Sequence, residues 1–261
     1  MSTSHSLLLD IGNTNTKIAL WSPEAGERPA AVATVPTLTD SADEWAARLL
    51  HVARQWDIDT RTVADVAACS VVPAASEMLD RAARKAFGLR ARLAPDTLAI
   101  AFDNIDDVPD NVGPDRIVAA FGARRSLAAL NVIVLDFGTA TTVDCVRGNT
   151  YLGGVICPGM RTAASALTDR TARLPELTFE IDSPKLAFGF DTMRSLNQGF
   201  IFGFAALAEG LISRMTDALG GPAAVIATGG LAPIVATVCP ALDDVRPDLI
   251  FTGLVHACME G

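Results

Sequence analysis

The stretch LLLDIGNTNTKIALW, from Leu7 to Trp21, most constrains the fold of this chain. An apolar run of strand length ends in an aspartate, a glycine turn rich in Asn and Thr follows, and a second apolar run begins at once. That pattern predicts a β-hairpin whose turn carries more polar groups than a turn needs. It recurs at VIVLDFGTATTVDCV, Val132 to Val146. Laying Leu8–Leu20 on Val134–Val146 matches Leu9 with Leu135, Asp10 with Asp136, Gly12 with Gly138 and Thr16 with Thr142. The matches fall in a D-x-G-x-x-x-T frame near the start of each half-chain. Two independent tight turns would also use Asp and Gly. The shared frame favours an internal duplication, with domains 1–128 and 129–261.

The rest of the chain alternates strands and helices. AAVATVPT supplies a third strand. SADEWAARLLHVARQW is a helix with Ser41 as N-cap and Glu44 three residues on. VADVAACSVVP is a buried strand, and ASEMLDRAARKAF is a helix that Gly88 stops. GPDRIVAAFGARRSLA is a helix with Pro114 in its first turn. AAVIATGG is a strand ending in a diglycine. The class is α/β.

At 261 residues, half of them apolar, the chain can bury a large core. Its net charge of −9 argues against nucleic acid and an anionic membrane surface as partners, though not against a small anion held locally. Five scattered cysteines, never in a C-x-x-C pair, fit buried thiols in a reducing cytoplasm better than a disulfide framework or zinc site. The N-terminus lacks the pattern of a signal peptide. The longest apolar segment, Gly199 to Ile212, is too short to span a bilayer and contains Glu209, so it reads as a buried helix.

A strand end followed by Gly and hydroxyl residues exposes backbone N–H groups that suit phosphate oxygens. Thr14, Thr16, Thr139, Thr141 and Thr142 can add hydroxyl donors. Asp10 and Asp136 carry the wrong charge for phosphate but can hold a cation, or its waters, beside one. Neither a P-loop nor a G-x-G-x-x-G fingerprint is present.

Two D-x-G turns and a late ATGGLAP resemble the superfamily of actin, the heat-shock chaperone ATPases and the sugar kinases. The resemblance implies two duplicated ribonuclease H-like α/β domains with a cleft between them, the actin-like ATPase fold. It also implies adenosine beside Gly229 and Gly230. DIGNTNTK, GPDR, DFGTATTVD, YLGGVICPG, ALTDRTARLPEL and ATGGLA together resemble type III pantothenate kinases, in that family's order and over nearly the whole chain. The resemblance implies ATP-dependent phosphorylation of pantothenate with Mg2+, a monovalent cation (K+ or NH4+) and a homodimer.

Residue by residue, it makes Asp115 the general base, with Gly113, Pro114 and Arg116 beside it at the acceptor. Asp10, Gly12, Asn13, Thr14, Asn15, Thr16 and Lys17 become the first phosphate turn, with Asp10 able to hold Mg2+, through water if not directly. Asp136 becomes the monovalent-cation ligand and Thr139 an ATP contact. Thr192 becomes a substrate contact reaching the partner subunit's site.

Several alternatives stay open in the residues themselves. Asp115 could simply match a helix dipole. Arg116 could make a surface ion pair, and Lys17 could point outward from its strand. Asp144 could face the site or solvent. The apolar helix could serve the core or a dimer face. The family's Y-x-x-P tyrosine is missing: Asp106 stands in its frame before Pro109, and Phe102 is the only aromatic nearby. Either Phe102 substitutes for it or the acceptor pocket has changed. A non-catalytic accessory protein on the same scaffold and a kinase for another small hydroxyl compound are the competing readings.

Overall fold

The computed structural model describes residues 4–39, 41–169, 175 and 177–260. Half of the segment ALTDRTARLPEL, residues 170–174 and 176, falls outside them. By its contacts the chain divides into two units, Met1–Ser126 with Asp248–Gly261, and Leu127–Pro247.

The first unit opens with β1 (His5–Ile11), β2 (Asn15–Trp21) and β3 (Ala31–Pro36), an antiparallel meander. β4 (Val63–Ser70) and β5 (Ala91–Ala94) extend it in parallel, giving the order β3-β2-β1-β4-β5. Alternation along β1 sends Leu7, Leu9 and Ile11 into a core with Trp45 and Leu49 of α1 (Ala42–Gln55) and Leu79 of α2 (Pro73–Phe87). Ser41 caps α1, its hydroxyl accepting from Glu44 N at 3.2 Å. Gly88 ends α2 at φ +73°, the left-handed conformation glycine adopts without strain. The opposite face of β1 and β4 carries α3 (Pro114–Ser126) and α7 (Leu249–Glu260).

That last helix departs from the expected division at residue 128, which gave the whole C-terminus to the second half. The reason is a backbone-to-backbone crossing. A Cβ on Gly253 would stand 2.2 Å from Val118 O, and one on Gly122 would stand 2.7 Å from Gly253 N. Two bare glycines let α7 lie directly on α3, which buries its Phe251, Leu254 and Val255.

The second unit repeats the plan. β6 (Asn131–Phe137), β7 (Ala140–Arg147) and β8 (Thr150–Pro158) form an antiparallel meander. β9 (Ala223–Thr228) and the short β10 (Asp244–Val245) add in parallel, in the order β10-β9-β6-β7-β8. α4 (Met160–Asp169), α5 (Thr192–Leu219) and α6 (Ala232–Ala236) complete it. Ile133, Leu135 and Phe137 pack with Ile201, Ala205, Ala208 and Ile212 of α5.

The expected buried helix at Gly199–Ile212 is part of this longer α5, and it is not buried all round. Only one stripe of α5 enters the core, and 28% of its most apolar window is buried. By length and composition α5 is long and apolar enough to cross a membrane. An apolar 28-residue helix on one sheet face has more surface than that sheet can cover.

Candidate active site

In the first unit, β1 delivers Asp10 to its C-terminal end and β2 begins at Asn15. Gly12 N donates to Asn15 O at 3.1 Å and closes the turn. Asn13, Thr14 and Asn15 are exposed on it, as a phosphate-binding turn requires. Thr16 is not: it is fully buried, and its hydroxyl lies 2.9 Å from Thr37 Oγ1. Thr37 Oγ1 donates to Gly12 O at 2.7 Å, so the proton between the two threonines comes from Thr16. The hydroxyl that the motif offered to a phosphate is engaged inside the turn. Sequence reasoning missed Thr37, which stands 21 residues beyond Thr16 and outside every motif.

Asp10 pairs across the hairpin with Lys17 and in parallel with Cys69, which places all three on the sheet face that carries α3. Lys17 therefore shares the face of Asp10. Burial raises the Asp10 carboxyl from 3.8 to about 6; Lys17 pulls it down, and nearby Asp115 pushes it up again. Cys69 is fully buried, so burial first and the two carboxylates second drive its thiol well above its ordinary value. It is an inert wall of the site.

Asp115 sits in the first turn of α3, after Pro114. Its Oδ1 accepts from Arg116 N at 2.9 Å. A Cβ on Gly113 would stand 2.4 Å from that same oxygen, so the glycine makes room for the carboxylate to fold back over the helix start. Asp115 matches the helix dipole and also stands close enough to Asp10 to perturb it. The dipole explains its tolerance at a helix N-terminus and leaves unexplained why a second carboxylate should be brought near the first.

The second unit carries the second turn. Gly138 N donates to Ala140 O at 3.0 Å, so this turn is one residue shorter than the first. Asp136 pairs with Thr142 where Asp10 pairs with Lys17, and Phe137 pairs with Thr141 where Ile11 pairs with Thr16. The structural counterpart of Thr16 is thus Thr141, not the Thr142 of the sequence match; both are fully buried. Thr139 is exposed at the turn tip, and its carbonyl accepts from Thr162 Oγ1 at 2.6 Å. Behind Asp136, Gly229 (φ +91°) presses in. A Cβ there would stand 2.3 Å from Asp136 Oδ1, and one on Gly138 would stand 3.3 Å from it. Two glycines thereby cradle one carboxylate oxygen. Gly230 is exposed with open space around it.

The family model for type III pantothenate kinases matches residues 6–214. The chain belongs to the type III pantothenate kinase family. A relative so named from Nitratidesulfovibrio vulgaris is 44% identical over 253 residues, covering 97% of this chain and 96% of its own length. One from Thermus thermophilus is 39% identical over 259 residues, covering 97% and 98%. Among solved structures, a conserved Baf-family protein from Campylobacter jejuni aligns over 97% of this chain and 98% of its own at TM-score 0.58 and 20% identity. A ROK-family glucokinase from Streptomyces griseus, solved with glucose and AMPPNP, aligns over 99% and 100% at TM-score 0.55 and 13% identity. These two likenesses bear on the fold alone, which is the sugar-kinase, actin-like ATPase fold.

Within the family pattern, three positions gain definition. Phe102 is 4% exposed and packs edge-on against Phe121 of α3, ring centroids 5.5 Å apart. It supports α3 from within the core, as a pocket-lining tyrosine would not. Asp144 points neither to solvent nor outward: it is 2% exposed and accepts from the hydroxyl of Tyr151, the chain's single tyrosine, at 2.6 Å. Thr192 is exposed at the start of α5, where Asp191 caps the helix by accepting from Arg194 N at 2.8 Å.

Proposed function

We propose that this chain phosphorylates pantothenate with ATP to give 4'-phosphopantothenate, the first step of coenzyme A biosynthesis. The observation that carries the reading is Asp115, folded over the start of α3 within electrostatic reach of Asp10 on the first turn. In this reading the amides and side chains of Gly12, Asn13, Thr14 and Asn15 hold phosphate oxygens, with Lys17 adding positive charge. Arg116 takes the pantothenate carboxylate, which a guanidinium fork suits. Asp115 accepts the proton of the acceptor hydroxyl as its oxygen bonds to the γ-phosphorus; the bond from that phosphorus to the β-γ bridging oxygen breaks and ADP leaves.

Bound Mg2+ would neutralise charge on the phosphates. Asp10 suits it, directly or through water, because a carboxylate already crowded by burial and by Asp115 gains from a nearby divalent cation. Asp136 suits K+ or NH4+ as a carboxylate at a strand end, and the close approach of Gly229 leaves no space for a side chain at 229 beside its Oδ1. Thr139, Gly229 and Gly230 fall to the nucleotide.

The homodimer is part of the proposal. Along α5, at the edge of the core, runs a groove of about 290 Å³ lined by Leu196, Gly199, Phe200, Gly203, Phe204 and Leu207. Small residues at four-residue spacing beside stacked phenylalanines suit another helix. Dimerisation would bring Thr192 to the partner subunit's acceptor. The cytoplasm is the proposed compartment, consistent with five cysteines that are all free thiols.

Purified protein with ATP, Mg2+, K+ and pantothenate tests the reading, with the molar mass measured in parallel. Pantothenate-dependent ADP release from a dimer is expected. ATP binding without turnover on pantothenate would overturn it, and turnover on a different hydroxyl compound would replace the acceptor. The accessory-protein alternative is not favoured, since the matching family model and the relatives at 39–44% identity are named as kinases.

A further inference from the structure

We infer that Thr37, which lies outside both phosphate turns, is a positioning residue that sets the first turn for the nucleotide phosphates; this rests on the reading of that turn as the ATP-phosphate site. Thr37 makes three contacts to the turn. Its hydroxyl donates to Gly12 O at 2.7 Å and accepts from Thr16 Oγ1 at 2.9 Å, and its amide donates to Thr14 O at 3.0 Å.

The consequence follows from the planarity of the peptide bond. In a trans peptide the C=O and the following N–H point in opposite directions. Holding Gly12 C=O toward Thr37 turns the Asn13 N–H away from Thr37, toward the open side of the turn. Holding Thr14 C=O the same way turns out the Asn15 N–H. Two carbonyl dipoles that would repel a phosphate are thereby drawn back, and two amides are presented. Without Thr37 each peptide plane could rotate and put its oxygen where an anion must sit.

Thr37 is itself held on both sides by α1. Trp45 Nε1 donates to Leu38 O at 2.8 Å, and Arg48 Nη1 donates to Pro36 O at 2.9 Å. The Trp45 side chain is fully buried. The brace is therefore anchored in the core of the first unit and does not depend on a ligand to form. The second turn has a comparable bond from outside its motif, Thr162 Oγ1 to Thr139 O at 2.6 Å.

The test compares Thr37→Val, which keeps the shape and removes the hydroxyl, with Thr37→Ser, which restores it. Binding of ATP, adenosine and pantothenate is measured by calorimetry, and turnover by ADP release. Thr37→Val should weaken ATP binding about ten-fold, the worth of one or two hydrogen bonds. It should leave adenosine and pantothenate affinity within two-fold, roughly the noise of such a comparison. Thr37→Ser should bind ATP as the wild type does. Unchanged ATP affinity in Thr37→Val would overturn the inference, as would equal losses for adenosine and ATP. Should Thr37→Val not fold, Thr37→Ala and the serine variant carry the same comparison. Wild-type protein that binds ATP no better than adenosine would instead remove the phosphate-site reading.

Discussion

Gly229 closes on Asp136 so tightly that a Cβ at 229 would stand 2.3 Å from Asp136 Oδ1 and 2.7 Å from Phe137 N. The diglycine loop after β9 and the carboxylate at the end of β6 are thus one packed unit. Leu231 N reinforces it by donating to Phe137 O at 3.3 Å.

Gly229→Ala should therefore damage the proposed cation site at Asp136 before anything else. The substitution combines a left-handed φ with a backbone collision, a strain of about 1–3 kcal/mol. The K+ concentration for half-maximal activity should rise at least several-fold while circular dichroism stays native. An unchanged K+ dependence in a folded variant would separate Gly229 from Asp136 function.

Asp115→Asn keeps the size of the side chain and one acceptor for Arg116 N, and removes the proposed base. Turnover should fall about 10²–10⁴-fold, the usual worth of a general base, with ATP affinity nearly intact. Wild-type turnover would dismiss Asp115 as the base.

Asp10 should make the ligand-free protein lose stability as pH rises. Its folded value near 6 lies above the unfolded 3.8, so between these values the folded chain holds a proton that the unfolded chain releases. The stabilisation is complete below pH 3.8 and gone above about 6. Asp10→Asn lacks this dependence. Relative to that variant, the wild type should lose up to about 2 kcal/mol between pH 4 and pH 7.5, allowing for the residual exposure of the largely buried side chain. Thermal melts without nucleotide or metal measure it, and a difference that does not change with pH would show that Asp10 titrates normally. Binding of Mg2+ and ATP should release a proton near pH 6.

Gly253→Ala tests the α3–α7 crossing. A methyl group 2.2 Å from Val118 O forces the helices apart, and overpacking of this kind costs about 1–3 kcal/mol. The melting temperature should fall by several degrees. Because α3 carries Asp115 at its start, kcat should fall as well while ATP affinity changes less. A native melting curve would show that the crossing can relax.

Much of this was legible in the chain. The paired D-x-G turns, the Pro114 helix start and the diglycine after β9 are local features. Their apolar periodicity and turn chemistry act over a few residues, and they appear where expected. Asp115, the proposed base, stands in the first turn of α3 as expected because Gly113, Pro114, Asp115 and Arg116 are contiguous. The match of Thr16 to Thr142 failed for an equally local reason. The second turn is one residue shorter, and identity in a gap-free alignment hides a one-residue slip in register.

What the sequence determined by itself is the alternation that builds two sheets and the small-residue turns at the ends of β1 and β6, since strand period and turn preference are properties of neighbouring residues. The tertiary structure alone decided that α7 returns to the first unit, that Thr37 reaches back to Thr16 and Gly12, that Asp144 finds Tyr151, and that Asp115 adds to the cost of ionising Asp10. Each of these depends on groups brought together from distant parts of the chain. Which groups those are is decided by close packing around bare glycines and by burial, and neither has a period that can be read along a sequence.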